Sequence, residues 1–258
     1  MMGGMPELSG FDTGVYDSGQ GRQLYLYLIH MRTTRILIWA GLFLLWTIPR
    51  ALAQSSYGLR TVNLEEYRKL VREDSSQEIV SLAAFIPGIR LDVRYATDSN
   101  LMHRPVYNLP VVYLRRPAAA ALKAAEEELR SSGYGFKVFD GYRPYRVTVE
   151  FYEAYRDSNF VASPYTGSRH NRGCAVDLTL IDLKTGKELV MPTDYDSFTR
   201  EAAADYRDIT PAALYNRKRL QDVMLKHGFL IYPSEWWHFD FAGWKNYAVT
   251  DIPFEELK

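Results

Sequence analysis

The chain has 258 residues, 47% of them apolar and 14% aromatic, enough to bury one substantial core. Its 31 basic and 31 acidic residues cancel to a formal net charge of zero, so the basic footprint expected of a nucleic-acid-binding surface is absent. A single cysteine, Cys174, excludes an intramolecular disulfide, and no solenoid-period repeat runs through the chain.

In chain order, the first signal is Met31-Arg-Thr-Thr-Arg35, followed by the apolar run of residues 36–48 and by Ala51-Leu-Ala53-Gln54. A basic start, an apolar stretch of about a dozen residues and a small-x-small site make a secretory signal peptide, whereas a membrane span wants about 20 apolar residues. The expectation is an exported, periplasmic protein in three parts. Residues 1–30 are a non-structural upstream extension, 31–53 the signal, and 54–258 one catalytic domain that keeps no stable membrane span after cleavage. An uncleaved single-span anchor is the alternative reading.

The mature segment reads as alternating helices and short strands. A helix is predicted over 64–71, and 89–95 alternates apolar with polar as a half-buried strand does, bringing Tyr95 toward a cleft. Pro117 opens an alanine-rich helix that stops by Gly133, and residues 136–140 form a strand delivering Gly141-Tyr142-Arg143-Pro144 at its end. A helix follows over 144–156, then a loop over 158–172 that carries His170, then a strand over 174–181 that carries Asp177. Thr210-Pro211 reads as an N-cap with proline in the first turn, and Gly228 follows the end of that helix. Two strands, 229–232 and 236–241, close the pattern around Glu235, with His238 sharing a face with Trp236 and Asp240. The fold class is α+β: a small, mostly antiparallel sheet with helices packed against it and a metal on its exposed face.

Two segments carry the chemistry, Ser168-Arg-His170-Asn-Arg-Gly173-Cys-Ala175-Val-Asp177 and Glu235-Trp-Trp-His238. Catalytic zinc is held by three protein nitrogen or oxygen ligands with a fourth position left for water. His170, Asp177 and His238 supply that set, and Glu235 supplies a general base next to it. Aspartate is disfavoured inside a strand unless something compensates it, and a metal at Asp177 does so. His30, His103 and His227 read as ordinary residues, His227 because a helix C-terminus favours partial positive charge. Cys174 reads as buried filler.

The pattern Ser-x-His-x-x-Gly-x-Ala-x-Asp followed by Glu-x-x-His resembles the zinc D-Ala-D-Ala metallopeptidases, whose fold is shared with hedgehog signalling domains. Asp92-Val-Arg-Tyr95-Ala-Thr, Phe139-Asp-Gly-Tyr-Arg143-Pro and Val161-Ala-Ser-Pro extend the likeness toward the D-alanyl-D-alanine dipeptidase branch, the vancomycin-resistance type, over about residues 60–245. His103 and Cys174 depart from that pattern without removing a ligand. The resemblance implies one zinc ion per chain and hydrolysis of the dipeptide D-Ala-D-Ala to two D-alanines. It also implies that Arg143 steadies the developing oxyanion. Asp196 would meet the substrate ammonium and the Ser168 region its carboxylate, with Tyr95 a further pocket residue and Asp240 an orienting partner for a ligand imidazole. A D,D-carboxypeptidase or endopeptidase acting on peptidoglycan stem peptides is the first alternative. A non-catalytic zinc-stabilised binding module is the second, and an intact Glu235 and Arg143 argue against it.

Overall fold

A computed structural model describes residues 57–156 and 161–257. The predicted extension and signal peptide lie outside the described residues. Among those described, no helix is long and apolar enough to cross a membrane.

The first helix, α1 (Leu64–Glu73), starts where the sequence caps it. The Asn63 side chain accepts from Glu66 N, and the Glu66 carboxylate accepts from Asn63 N, a reciprocal pair that satisfies two orphan amides. Two short elements that alternation does not reveal come next, β1 (Ile79–Ser81) and a single helical turn, α2 (Leu82–Phe85). β1 pairs antiparallel with β3 (Tyr113–Arg115) in a two-stranded sheet of its own. Three residues are too few to show a period.

The strand predicted over 89–95 is reduced to β2 (Arg90–Leu91), after which the chain tightens into a 3-10 turn over Arg94–Ala96. That turn, rather than strand alternation, places Tyr95, whose carbonyl accepts from both Val106 N and Tyr107 N. Pro117 sits in the first turn of α3 (Arg116–Ser131), and Ala118, Leu122, Ala125 and Leu129 recur at helical spacing on its buried face. Next come β4 (Tyr134–Asp140), α4 (Tyr145–Tyr155) and β5 (Ala175–Asp182). The chain then forms α5 (Pro211–Lys226), β6 (Phe229–Ile231) and β7 (His238–Phe241). Thr210 caps α5 by accepting from Ala213 N at 3.2 Å, and Gly228 takes φ 84° just beyond it, both as the sequence predicts. Thr210→Ala is expected to lower stability by about 1 kcal/mol. Urea unfolding would show it as a lower midpoint at unchanged slope.

The main sheet has the order β2-β4-β5-β7-β6, antiparallel except for the β2–β4 pair. β5 is its centre and is buried on both faces. On one face Val176, Leu178 and Leu180 align with Val138, Phe136 and Phe239 to form the core beneath α3 and α5. The other face carries the chemistry. A register shift between Val138 and Asp140 inserts one extra residue into β4 and brings Asp140 opposite Asp177, which in turn pairs with His238. Without that bulge Asp140 would share the core face of Val138.

Two expectations about this face need correction. The face is not exposed: His170, Asp177 and His238 are all buried, because the 161–170 segment and the loop holding Asp196 lie over it. Trp236 does not lie in the strand with His238. Its backbone N–H goes to Ala202 O and its indole to Thr193 Oγ1, so it packs edge-on against Trp237 in the preceding turn.

Candidate active site

His170 opens a 3-10 turn, His170–Arg172, that ends at Gly173 with φ 68°. A Cβ at Gly173 would lie 3.2 Å from the backbone nitrogen of Arg115, so both conformation and space favour glycine there. The turn is fastened by Ser168, whose Oγ accepts from His170 N, and by Asn171, which accepts from Ser168 N and donates to the Arg143 carbonyl and Thr148 Oγ1. Asp177 and His238 come from adjacent registered strands. Glu235 lies in the turn before β7, its backbone held by contacts to Tyr232 and His238.

Three acceptor atoms converge. His170 Nε2 lies 3.2 Å from His238 Nδ1 and 3.5 Å from Asp177 Oδ1, and His238 Nδ1 lies 3.0 Å from the same oxygen. The other ring nitrogens each face an oxygen. His170 Nδ1 faces the Gly141 carbonyl at 2.7 Å, a group that only accepts, and His238 Nε2 faces Asp240 Oδ1 at 3.0 Å. With the ring protons on those nitrogens, as metal binding would require, both rings direct a lone pair toward Asp177 Oδ1, a buried oxygen without a hydrogen-bond partner. Such a cluster calls for a cation, a proton or a metal ion, between its members. Tetrahedral zinc with bonds of about 2.0–2.1 Å has ligand-to-ligand edges of about 3.3 Å, and the three observed separations bracket that edge. The residues fit a metal ion of this kind.

The titration behaviour has the same origin. Burial disfavours charge on His238, yet Asp177 and Asp240 outweigh it and hold the imidazole well above its ordinary pKa, so a metal ion would take the place of the proton between His238 and Asp177. Burial also opposes charge on Asp177, but His170 and His238 override it and hold that carboxyl far below the usual range.

Arg143 lines the same cavity, about 200 Å³ in volume, together with Tyr95, Ser168, Asp196 and Glu235. Its Nε and Nη2 are both taken by Asp140 Oδ2, at 3.1 and 2.7 Å, and its guanidinium lies over the rings of Tyr95 and Phe151. Burial acts against its charge, but Asp140 prevails and keeps it ionised. Asp196 takes φ 59°, and its Oδ2 is buried with no hydrogen-bond partner. Desolvation, then the charge of Asp177, push its carboxyl up to about 8. Desolvation likewise raises Glu235, whose Oε2 lies 3.7 Å from His238 Nδ1.

Every site residue expected from the sequence is thus brought to one cavity. His103 and Cys174 are not among its lining residues, and His227 pairs instead with Glu128 at 2.8 Å. Two residues had no role in the sequence reading. Asp140 holds Arg143 and also accepts from Tyr107 Oη and Gly141 N. The argument applied to Asp177, an aspartate at a strand position, would have flagged it. Tyr195 donates to Asp177 Oδ2 at 3.1 Å, and nothing in its local sequence signals that contact.

The family model described as D-ala-D-ala dipeptidase, peptidase M15, matches residues 75–254. A D-alanyl-D-alanine dipeptidase of Escherichia coli (strain K12) is 32% identical over 177 residues, 69% of this chain and 91% of that protein. One of Enterococcus faecium is 32% identical over 193 residues, 67% of this chain and 92% of that protein. A solved structure of the LdcB LD-carboxypeptidase is 23% identical, covering 66% of this chain and 70% of that one with a TM-score of 0.39. On the extent of the family match, and with a His-Asp-His cluster that could hold a metal ion, the chain belongs to the D-ala-D-ala dipeptidase family and is a metallopeptidase.

Proposed function

We propose that this protein hydrolyses D-alanyl-D-alanine to two D-alanines at a zinc ion held by His170, Asp177 and His238. The observation that carries the reading is the convergence of three potential ligand atoms beside Glu235, within a cavity smaller than the 300–1,000 Å³ typical of drug-sized sites. When bound, zinc supplies Lewis-acid polarisation of the scissile carbonyl and activation of water.

The side chains perform the rest. Glu235 takes a proton from the attacking water and returns it to the departing amine, a task suited to a carboxylate whose proton affinity desolvation has raised. Arg143, locked in place by Asp140, offers Nη1 to the developing oxyanion without having to reorganise. A dipeptide arrives as a zwitterion, and each buried charge needs a partner. Asp196 meets the ammonium: its unsatisfied Oδ2 gains a cation, and the incoming charge stabilises the ionised carboxylate. The Ser168 region meets the carboxylate, and Tyr95, over whose ring the Arg143 guanidinium lies, is a further wall of the pocket.

The test is release of D-alanine by the zinc-loaded protein from D-Ala-D-Ala and from a stem pentapeptide ending in D-Ala-D-Ala. Cleavage of the dipeptide with little attack on the pentapeptide is expected. Preference for the pentapeptide would make the protein a carboxypeptidase, and inactivity on both would refute the assignment. We also propose export, with cleavage before Gln54, on the basic and apolar pattern of residues 31–53. N-terminal mass spectrometry of the exported fraction checks this, and a retained residue 31–53 segment would refute it.

A further inference from the structure

The Asp177 carboxylate uses its two oxygens differently. Oδ1 faces His170 Nε2 and His238 Nδ1, at 3.5 and 3.0 Å, whereas Oδ2 accepts a hydrogen bond from Tyr195 Oη at 3.1 Å. The tyrosine ring has little freedom. It stacks on Phe139 with centroids 4.4 Å apart and planes 15° from parallel, and meets Trp237 edge-on at 5.6 Å. Tyr95 closes a further side at 6.2 Å. The bulge of β4 supplies Phe139, and the left-handed backbone of Asp196 follows Tyr195 immediately. That bend lets neighbouring side chains diverge, Tyr195 toward the metal-ligand carboxylate and Asp196 into the cavity lining.

We propose that Tyr195 is a positioning residue that keeps Asp177 a one-oxygen metal ligand. An ionised carboxylate can bind a cation through one oxygen or both. With Oδ2 held by a phenol, itself un-ionised at neutral pH, only Oδ1 is offered to the ion. A catalytic site needs this restraint, because a second carboxylate oxygen would compete for the position that water or substrate must occupy. Partners of this kind typically contribute 10- to 100-fold to metal affinity. The inference rests on the metal-centre reading above, and its test does not depend on the substrate.

Tyr195→Phe removes the donor and leaves the stacked ring. Competition with a chromophoric chelator should show zinc binding weakened by about 10-fold or more. The cobalt-substituted variant should show weaker visible d–d bands than the cobalt-substituted parent, as the coordination number rises. Tyr142→Phe is the control. It deletes a buried hydroxyl that donates to the Ile252 carbonyl and accepts from Ile252 N, away from the ligands. It should lower thermal stability while leaving the zinc affinity and cobalt spectrum alone. Unchanged zinc affinity and cobalt spectrum in Tyr195→Phe would overturn the proposal. The parent protein offers a check that needs no variant, since weak, six-coordinate-type cobalt bands would also overturn it. A parent that binds zinc normally but cleaves no D-Ala-D-Ala would sink the substrate assignment while leaving Tyr195 standing.

Discussion

Replacing Glu235 by glutamine is expected to reduce kcat on D-Ala-D-Ala by about 100- to 10,000-fold while zinc stays bound. The glutamine amide keeps the size of the carboxylate but cannot accept a proton and hand it on. The turn that presents residue 235 is held by main-chain contacts to Tyr232 and His238, so the substitution leaves its path intact. None of the three ligand atoms belongs to Glu235, so a zinc stoichiometry near one per chain should survive. Kinetics on the zinc-loaded variant, with metal content measured on the same sample, separate loss of the base from loss of the ion. Activity within a few-fold of the parent would remove Glu235 from the mechanism.

The largest effect on stability should come from Asp140→Ala. Asp140 is 1% exposed and satisfies four donors at once: Arg143 Nε and Nη2, Tyr107 Oη and Gly141 N. Its removal leaves a buried guanidinium without a counter-ion, and breaking a buried pair from one side costs about 3–5 kcal/mol. The orphaned Tyr107 hydroxyl adds to that loss. Denaturant unfolding should show the drop as a shifted midpoint. Removing both charges distinguishes pairing from packing: Asp140→Leu combined with Arg143→Met should recover much of the stability yet none of the activity. If the single variant is as stable as the parent, Arg143 must have found another partner and its fixed orientation is lost as an argument.

The sequence by itself determined the helix boundaries that caps and prolines mark, at Pro117, Thr210 and Gly228, because capping is a local hydrogen-bond problem solved within a few residues. It also pointed to the chemistry, since two imidazoles and two carboxylates at the spacing of a metallopeptidase family mark a candidate metal centre before any fold is known. The short strands β1 and β3 were not legible, being fixed by partners rather than by period. Trp236 was misplaced for the same reason, its amide being claimed by Ala202 from a distant loop. Only the tertiary structure decided how the site is held. The β4 bulge turned Asp140 to the face that carries Asp177, the overlying loops buried His170, Asp177 and His238, and Tyr195 reached Asp177 from 18 residues away. Cross-strand register and loop packing are set by contacts between distant segments, and no local pattern in the sequence records them.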